Sequence, residues 1–170
     1  NVISSKGAIH YITQTDIEKA KPYLINKVKS QKIVSLILGG PNKYYSFKNE
    51  ELTGIFKKVK TNFISEGYKA IIIPSLRTPK RIIELAMNEF DSNNFVVNSV
   101  NKQAYLSALA LATSIVVTCD STSMISEAAA SGKPIFVAHM RSKKDNYRFR
   151  KFFQLFKEMG ITRELGERVQ

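Results

Sequence analysis

A crowded polar junction lies between two apolar runs of this chain. Asp120, Ser121 and Ser123 follow a short β-branched run and precede a segment rich in alanine and serine. A strand-to-helix junction leaves backbone N–H groups free at the start of the helix, and such groups bind anions well. Glu127 lies about a turn and a half into the helix, where its carboxylate can accept hydrogen bonds from sugar hydroxyls. The junction therefore predicts a site for an anionic, sugar-containing ligand, beyond the ordinary role of Ser121 as a helix cap.

Three other loops are expected to meet this junction. They span residues 39–43, 75–78 and 139–148, and each follows a predicted strand. Ligands of open α/β sheets bind at the carboxyl ends of the strands, so we expect the loops to line one site. Gly39 and Gly40 would let a ligand approach the backbone, although many such turns carry glycine for geometry alone.

Two side chains in these loops carry chemistry of their own. Arg77 can neutralise a diphosphate or stack on a base, or it can be an ordinary surface arginine before a helix. His139 ends a predicted strand and is better placed than His10 for acid–base work, although a structural histidine is the more common finding. The chain has no G-x-G-x-x-G, P-loop or G-x-S-x-G motif, so its serines are assigned capping and phosphate binding. No catalytic residue is assigned.

The charge balance of the chain is strongly basic. Its 26 lysines and arginines against 14 aspartates and glutamates give a formal net charge of +12, which favours an anionic partner. Small anionic ligands, anionic membrane surfaces and nucleic acids all fit this charge. No zinc finger, RNA-binding aromatic motif or recognition helix supports a nucleic acid, so none is expected.

The few cysteines and histidines limit the chemistry further. A single cysteine, Cys119, excludes an internal disulfide, and we predict it to be a buried structural thiol. The two histidines lie far from it in the sequence, so we expect neither a metal site nor a cofactor. No apolar run reaches about 18 residues, so we predict a cytoplasmic protein, with peripheral attachment at a membrane surface as an alternative.

Short apolar strands and helices alternate along the chain, which predicts a Rossmann-like, doubly wound parallel α/β sheet. Strands are predicted at residues 7–12, 32–38, 68–74 and 95–97, and at both ends of 115–139. Helices are predicted at residues 15–30, 46–66, 79–90, 103–112 and 147–159, with one more between the last two strands. Residues 1–30 are expected to lead into a domain formed by residues 31–170.

Two helix starts carry capping signals. Thr15 with Glu18 predicts a capping box, and Thr78 before Pro79 predicts an N-cap followed by proline at the first helical position. The cluster at residues 141–151 is rich in lysine and arginine. We expect it to form a basic surface with four exposed aromatic residues, namely Tyr44, Tyr45, Tyr147 and Phe149.

The segment S-E-A-A-A-S-G-K-P, residues 126–134, resembles a motif of the N-acetylglucosaminyltransferase of peptidoglycan synthesis, a GT-B glycosyltransferase. In that family the matching glutamate binds the ribose of a uridine nucleotide, which implies this role for Glu127. The Gly39-Gly40 turn is similar to a glycine turn beside the diphosphate. The tract H-M-R-S-K-K-D-N-Y-R-F resembles a loop near the donor sugar.

A wider resemblance covers almost the whole chain. The stretches L-G-G-P-N-K-Y-Y-S-F, S-L-R-T-P, Y-L-S-A-L-A-L-A, V-V-T-C-D-S-T-S-M-I-S-E-A-A-A-S-G-K-P and R-F-R-K-F together resemble the "elongated mitochondria" (ELM-type) family, which is related to GT-B enzymes. The resemblance implies the C-terminal, donor-binding half of a protein about twice as long, whose missing N-terminal domain is a partner. Together, the residues and these resemblances predict a nucleotide-sugar site that comprises Gly39, Gly40, Asn42, Arg77, Thr78, Asp120, Ser121, Ser123, Met124, Glu127, His139 and Arg148.

Two hypotheses about function follow from these observations. In the first, the chain is the nucleotide-sugar-binding half of a glycosyltransferase that acts without a bound metal, with a UDP-sugar as substrate. In the second, it is a non-catalytic scaffold that binds a protein or an anionic membrane surface. A nucleotide-sugar epimerase is a third hypothesis, disfavoured because the G-x-x-G-x-x-G fingerprint is missing.

Overall fold

A computed structural model describes residues 12–166, and the strands in that range form one sheet. The six strands are β1 (Ile33–Leu38), β2 (Lys69–Pro74), β3 (Phe95–Val96), β4 (Ser114–Thr118), β5 (Ile135–Ala138) and β6 (Thr162–Glu164). All neighbouring pairs are parallel, in the order β3-β2-β1-β4-β5-β6. The chain runs outward from β1 in one direction and then outward from β4 in the other, which confirms the predicted doubly wound sheet. The switch point lies between β1 and β4.

Helices connect these strands. Within the described range they are α1 (Gln14–Ala20), α2 (Asn49–Asn62), α3 (Lys80–Glu89), α4 (Lys102–Leu111), α5 (Thr122–Ala129) and α6 (Tyr147–Glu158). A single 3-10 turn follows α1, and another follows α2. None of the helices between residues 12 and 166 is both long enough and apolar enough to cross a bilayer.

The helices cover both faces of the sheet. The Ser35 hydroxyl donates to the Ala108 carbonyl of α4 at 2.7 Å, which places α4 on the Ser35 face. Leu36, the next residue, points to the opposite face, and the strand register sets it level with Phe136 two strands away. There the ring of Phe63, directly after α2, packs edge-on against Phe136 with centroids 5.3 Å apart. Strands β1, β4 and β5 are therefore buried along their whole length.

The start and the end of the first helix differ from the prediction. Thr13, not Thr15, caps α1, and Asp16 closes the capping box instead of Glu18. The helix ends at Ala20 and gives way to a 3-10 turn, ten residues before the predicted end. Both capping boxes fit the same sequence rule, so the rule alone does not fix the register.

Other element predictions also need correction. Pro79, not Thr78, is the N-cap residue of α3, and it makes no side-chain cap bond. The sequence pattern does not predict β6, because its residues Thr-Arg-Glu include no apolar run. The strand predicted at residues 7–12 falls outside the described residues except for Ile12, which lies in no strand. The division of the chain at residue 30 stays a prediction.

Candidate functional site

The carboxylate of Asp120 ties together three loops at the carboxyl edge of the sheet. Its side chain is fully buried, and it accepts hydrogen bonds from the Thr118 hydroxyl at 2.6 Å and the Gly40 N–H at 3.1 Å. The Arg77 guanidinium donates to the same carboxylate and to the Gly40 carbonyl, each at 2.8 Å. A buried charge is stable when it is both paired and hydrogen-bonded, and this one is. We call Gly40, Arg77, Thr118 and Asp120 the Asp120 cluster.

Gly39 and Gly40 are packed tightly by the protein itself. The Gly39 N–H donates to the Thr118 hydroxyl at 2.9 Å, and a Cβ at Gly39 would overlap the Asp120 carboxylate. A Cβ at Gly40 would overlap the Arg77 carbonyl. These positions therefore require glycine for loop packing. The sequence interpretation gave the space beside the two glycines to a ligand, and the structure fills that space with neighbouring loops.

Thr78 and Asn42 also join loops. The Thr78 hydroxyl donates to the Gly39 carbonyl at 2.6 Å and accepts the Ser75 N–H at 2.8 Å, which explains why it does not cap α3. The Asn42 amide donates to the Asp120 carbonyl at 3.1 Å, and its own oxygen accepts two N–H groups of the following turn. Half of the predicted site residues are thus linked by hydrogen bonds at the carboxyl edge of the sheet. We call these six residues the platform: Gly39, Gly40, Asn42, Arg77, Thr78 and Asp120.

A cavity of about 420 Å³ opens beside this platform. It lies on the α4 face of the sheet near the switch point, between the ends of β1 and β2 and the helices α4 and α5. Its volume falls in the range of small-molecule sites, roughly 300–1,000 Å³. Most of its wall is apolar, and its charged lining groups are Lys102 and Glu127. The lining residues are Ile12, Ile37, Pro74, Ser75, Leu76, Val100, Asn101, Lys102, Tyr105, Met124 and Glu127.

Glu127 and Tyr105 meet in this cavity. The Tyr105 hydroxyl on α4 donates to Glu127 Oε2 on α5 at 2.7 Å. Burial is the main cause that raises the pKa of Tyr105 far above its ordinary value, and the neighbouring carboxylate raises it further. The phenol therefore keeps its proton and remains a hydrogen-bond donor. Within residues 12–166 the second Glu127 oxygen has no hydrogen-bond partner. It can therefore accept a hydrogen bond from a ligand.

Tyr105 was missed by the sequence analysis. It sits in the apolar run of α4, where a tyrosine is easily taken for a core residue. The available signal was its hydroxyl, because a buried tyrosine O–H needs a hydrogen-bond partner. That partner lies 22 positions away, on a different helix.

The start of α5 agrees with the sequence analysis. Ser121 is the N-cap residue, and its hydroxyl accepts the Met124 N–H at 3.3 Å. Met124 lines the cavity beside Glu127. Ser123 is exposed on the first turn and does not line the cavity.

His139 and Arg148 lie apart from the cavity, so the structure does not bring the predicted residues into one site. His139 Nε2 is 2.6 Å from Glu164 Oε2, and the edge of its ring packs on Phe153. Burial lowers the pKa of His139, and the Glu164 carboxylate opposes that shift. Arg148 is exposed in the first turn of α6. Of the twelve predicted residues, Met124 and Glu127 line the cavity.

The expectation of four exposed aromatic residues is wrong for three of them. Tyr45 is only 5% exposed, and Tyr44 and Phe149 are half-buried. The cause is mutual packing, since the Phe149 ring lies 5.4 Å from Tyr44 and 6.2 Å from Tyr45. Tyr147 is exposed as predicted, at 58%.

The remaining reactive groups are accounted for within the described range. Cys119 is buried, as predicted, and its sulfur accepts the Met140 N–H at 3.3 Å. Burial raises the pKa of its thiol from 9.0 to about 12. Between residues 12 and 166, no group of three His, Cys, Asp or Glu side chains could hold a metal ion.

Comparison with known proteins shows the family. A family model described as "Mitochondrial fission ELM1" matches residues 1–170. The uncharacterised protein RP120 of Rickettsia prowazekii is 27% identical over 179 residues, which cover 99% of this chain and 48% of that protein. The mitochondrial fission protein ELM1 of Arabidopsis thaliana is 25% identical over 170 residues, which cover 96% and 38%. The chain spans less than half the length of these relatives.

Two solved structures share the fold. The UDP-GlcNAc 2-epimerase of Neisseria meningitidis, solved with UDP-GlcNAc bound, has a TM-score of 0.51 at 17% identity and covers 90% of this chain and 36% of its own. A candidate UDP-N-acetylglucosamine 2-epimerase of Listeria monocytogenes has a TM-score of 0.57 at 18% identity and covers 96% and 41%. At this level of identity the comparison shows the fold alone. The shared fold confirms the prediction of one Rossmann-like half of a GT-B-type fold.

Proposed function

The chain belongs to the mitochondrial fission ELM1 family, and we propose that its cavity at the carboxyl edge binds a nucleotide-sugar. The observation that carries this proposal is the Glu127 carboxylate, held by Tyr105 in a largely apolar cavity beside the switch point. Apolar walls suit a flat base, and a carboxylate suits the hydroxyls of a sugar. A uridine diphosphate sugar is the first candidate, because one protein of similar fold is known with UDP-GlcNAc bound.

We propose that the negative charge of such a ligand is bound by Arg77 and the start of α5. Arg77 is 41% exposed on its side chain and uses two of its five N–H donors within the Asp120 cluster, so it retains donors for a diphosphate. Ser121 and Ser123, at the start of α5, would face the same phosphates. The net charge of +12 favours an anionic ligand in general.

We extend this proposal to the reaction. The chain would supply the donor-binding half of a GT-B-type glycosyltransferase. The acceptor would bind a region that corresponds to the part of the longer relatives that this chain does not span. Basic side chains and the helix start would stabilise the departing diphosphate. Transfer and epimerisation both begin with a bound nucleotide-sugar, so binding is the step to test first.

Calorimetric titration of the chain with UDP, UDP-GlcNAc, ADP and GDP tests the proposal. We expect saturable binding of the uridine nucleotides and weaker binding of the other two. The Glu127→Ala variant should bind at least about tenfold more weakly, since a charge-assisted hydrogen bond to the sugar is lost. The Glu158→Ala variant, changed on the exposed side of α6, serves as the matched control and should bind like the parent. Absence of saturable binding by all four nucleotides would contradict the proposal.

A second candidate function rests on the basic surface, which we define as Lys43, Arg141, Lys143, Lys144, Arg148, Arg150 and Lys151. All seven side chains are exposed, and the acid among residues 141–151, Asp145, is already paired with Arg150. We propose this surface as a contact for an anionic membrane. Vesicles with phosphatidylserine should retain the chain and release it as salt rises, whereas phosphatidylcholine vesicles should not. Equal retention by both kinds of vesicle would contradict this second proposal.

A further inference from the structure

We infer that Tyr105 is a positioning residue that makes the site selective for ribose over 2′-deoxyribose. This inference deepens the proposed function and rests on it. The Tyr105 hydroxyl and Glu127 Oε2 lie 2.7 Å apart, and this contact joins α4 to α5 across the cavity. Within the described residues it is the hydrogen bond that fixes the Glu127 side chain.

The backbone that carries Tyr105 is anchored at the start of α4. Asn101 caps α4 by accepting the Ala104 N–H at 3.0 Å, and its amide donates to the Tyr23 hydroxyl at 2.7 Å. The Tyr105 N–H donates to the Asn101 carbonyl at 3.0 Å, so the residue lies in the first anchored turn. A tyrosine has few rotatable bonds, whereas a free glutamate samples many rotamers. The hydroxyl therefore holds the carboxylate in one orientation before a ligand arrives.

The held carboxylate recognises a specific chemistry. A carboxylate only accepts hydrogen bonds, and Tyr105 already occupies part of Oε2. The remaining lone pairs can be satisfied by two neighbouring hydroxyls, which the 2′ and 3′ positions of ribose provide. A 2′-deoxyribose removes one of these donors and leaves a lone pair of the carboxylate without a partner in a largely apolar site. Selectivity then depends on the carboxylate being held at the correct angle, which is the role assigned to Tyr105.

A paired titration with UDP and 2′-deoxy-UDP tests the inference. The parent chain should bind UDP about tenfold or more tightly than 2′-deoxy-UDP, the value expected for one charge-assisted hydrogen bond. In Tyr105→Phe this ratio should fall to about twofold or less through weaker UDP binding, while the affinity for 2′-deoxy-UDP stays nearly unchanged. Tyr68→Phe is the matched control. Tyr68 directly precedes β2, at the amino end of that strand, and does not line the cavity.

The outcomes separate the two proposals. Loss of selectivity in Tyr105→Phe, with the parent ratio kept in Tyr68→Phe, supports the inference. An unchanged ratio in Tyr105→Phe, or an equal loss of both affinities, overturns it and leaves the proposed function standing. Failure of the parent chain to bind either nucleotide overturns the proposed function and this inference with it. A thermal unfolding curve of Tyr105→Phe verifies that the comparison is made on folded protein.

Discussion

Asp120 and Glu127 lie on one strand–turn–helix unit, yet their environments differ. Asp120 is fully buried, and its oxygens accept from a hydroxyl, a backbone N–H and a guanidinium. Within residues 12–166, Glu127 accepts its side-chain hydrogen bond from Tyr105 alone, and it lines a cavity. A carboxylate whose bonds are all made within the protein can hold loops together but has little left for a ligand. A carboxylate held at one oxygen is both oriented and available, so the contrast separates a structural carboxylate from the one that we propose binds a ligand.

The largest effect expected from this contrast concerns Cys119, which is buried and directly precedes Asp120. Burial raises the pKa of its thiol from 9.0 to about 12, so the thiolate fraction at pH 8 falls by about a thousandfold. Iodoacetamide at pH 8 should therefore leave the folded chain unmodified and alkylate the chain in guanidinium. Mass spectrometry reports the difference. Rapid alkylation of the folded chain would show that the region is open to solvent.

Removal of the Asp120 carboxylate should cost the most stability. Asp120→Ala leaves the Gly40 N–H and the Thr118 hydroxyl without their acceptor, and we expect a loss of about 3 kcal/mol in the free energy of unfolding. The partly exposed Arg77 guanidinium can then hydrogen-bond to water, which limits the loss in the free energy of unfolding. Denaturant unfolding measures it. Asp145→Ala, which breaks an exposed ion pair, is the control and should cost under about 1 kcal/mol. Similar losses in both variants would show that Asp120 stabilises the fold no more than an exposed carboxylate does.

A methyl group at Gly39 probes the same cluster from the opposite side. Gly39→Ala would push a Cβ into the Asp120 carboxylate, and we expect a loss of about 2 kcal/mol. Gly54→Ala is the matched control, because Gly54 lies in α2 with open space around it. That substitution should stabilise the chain by about 0.5–1 kcal/mol through helix propensity. The two changes are chemically identical, so opposite signs would isolate the effect of loop packing.

The smallest effect on stability is expected at Glu127, which lines the cavity. Glu127→Ala removes one hydrogen bond beside a cavity that water can enter, so it should change the free energy of unfolding by about 1 kcal/mol or less. The same variant should bind uridine nucleotides at least about tenfold more weakly, as described above. A loss of stability equal to that of Asp120→Ala would show that Glu127 also serves mainly to hold the fold.

The sequence predicts the sheet better than it predicts the site. Runs such as I-V-S-L-I-L carry their strand signal locally, and Ser121 caps a helix that begins at the next residue. The roles of Gly40 and Asp120 depend on a partner 80 positions away, which no local pattern contains. Tyr105 was missed for the same reason, since its hydroxyl matters only when α5 packs beside α4. Chemistry made by distant segments requires the fold to be known first.

The separation between Gly40 and Asp120 also bears on how the chain folds. The pairing of β1 with β2 joins Ile33 to Lys69 and closes a much shorter loop than the pairing of β1 with β4. Contacts between distant segments form slowly, because chain entropy is lost before they stabilise the fold. We therefore expect the β1–α2–β2 unit to assemble early and the carboxyl edge to close late. In pulsed hydrogen exchange, the Gly40 amide should be among the last to become protected during refolding.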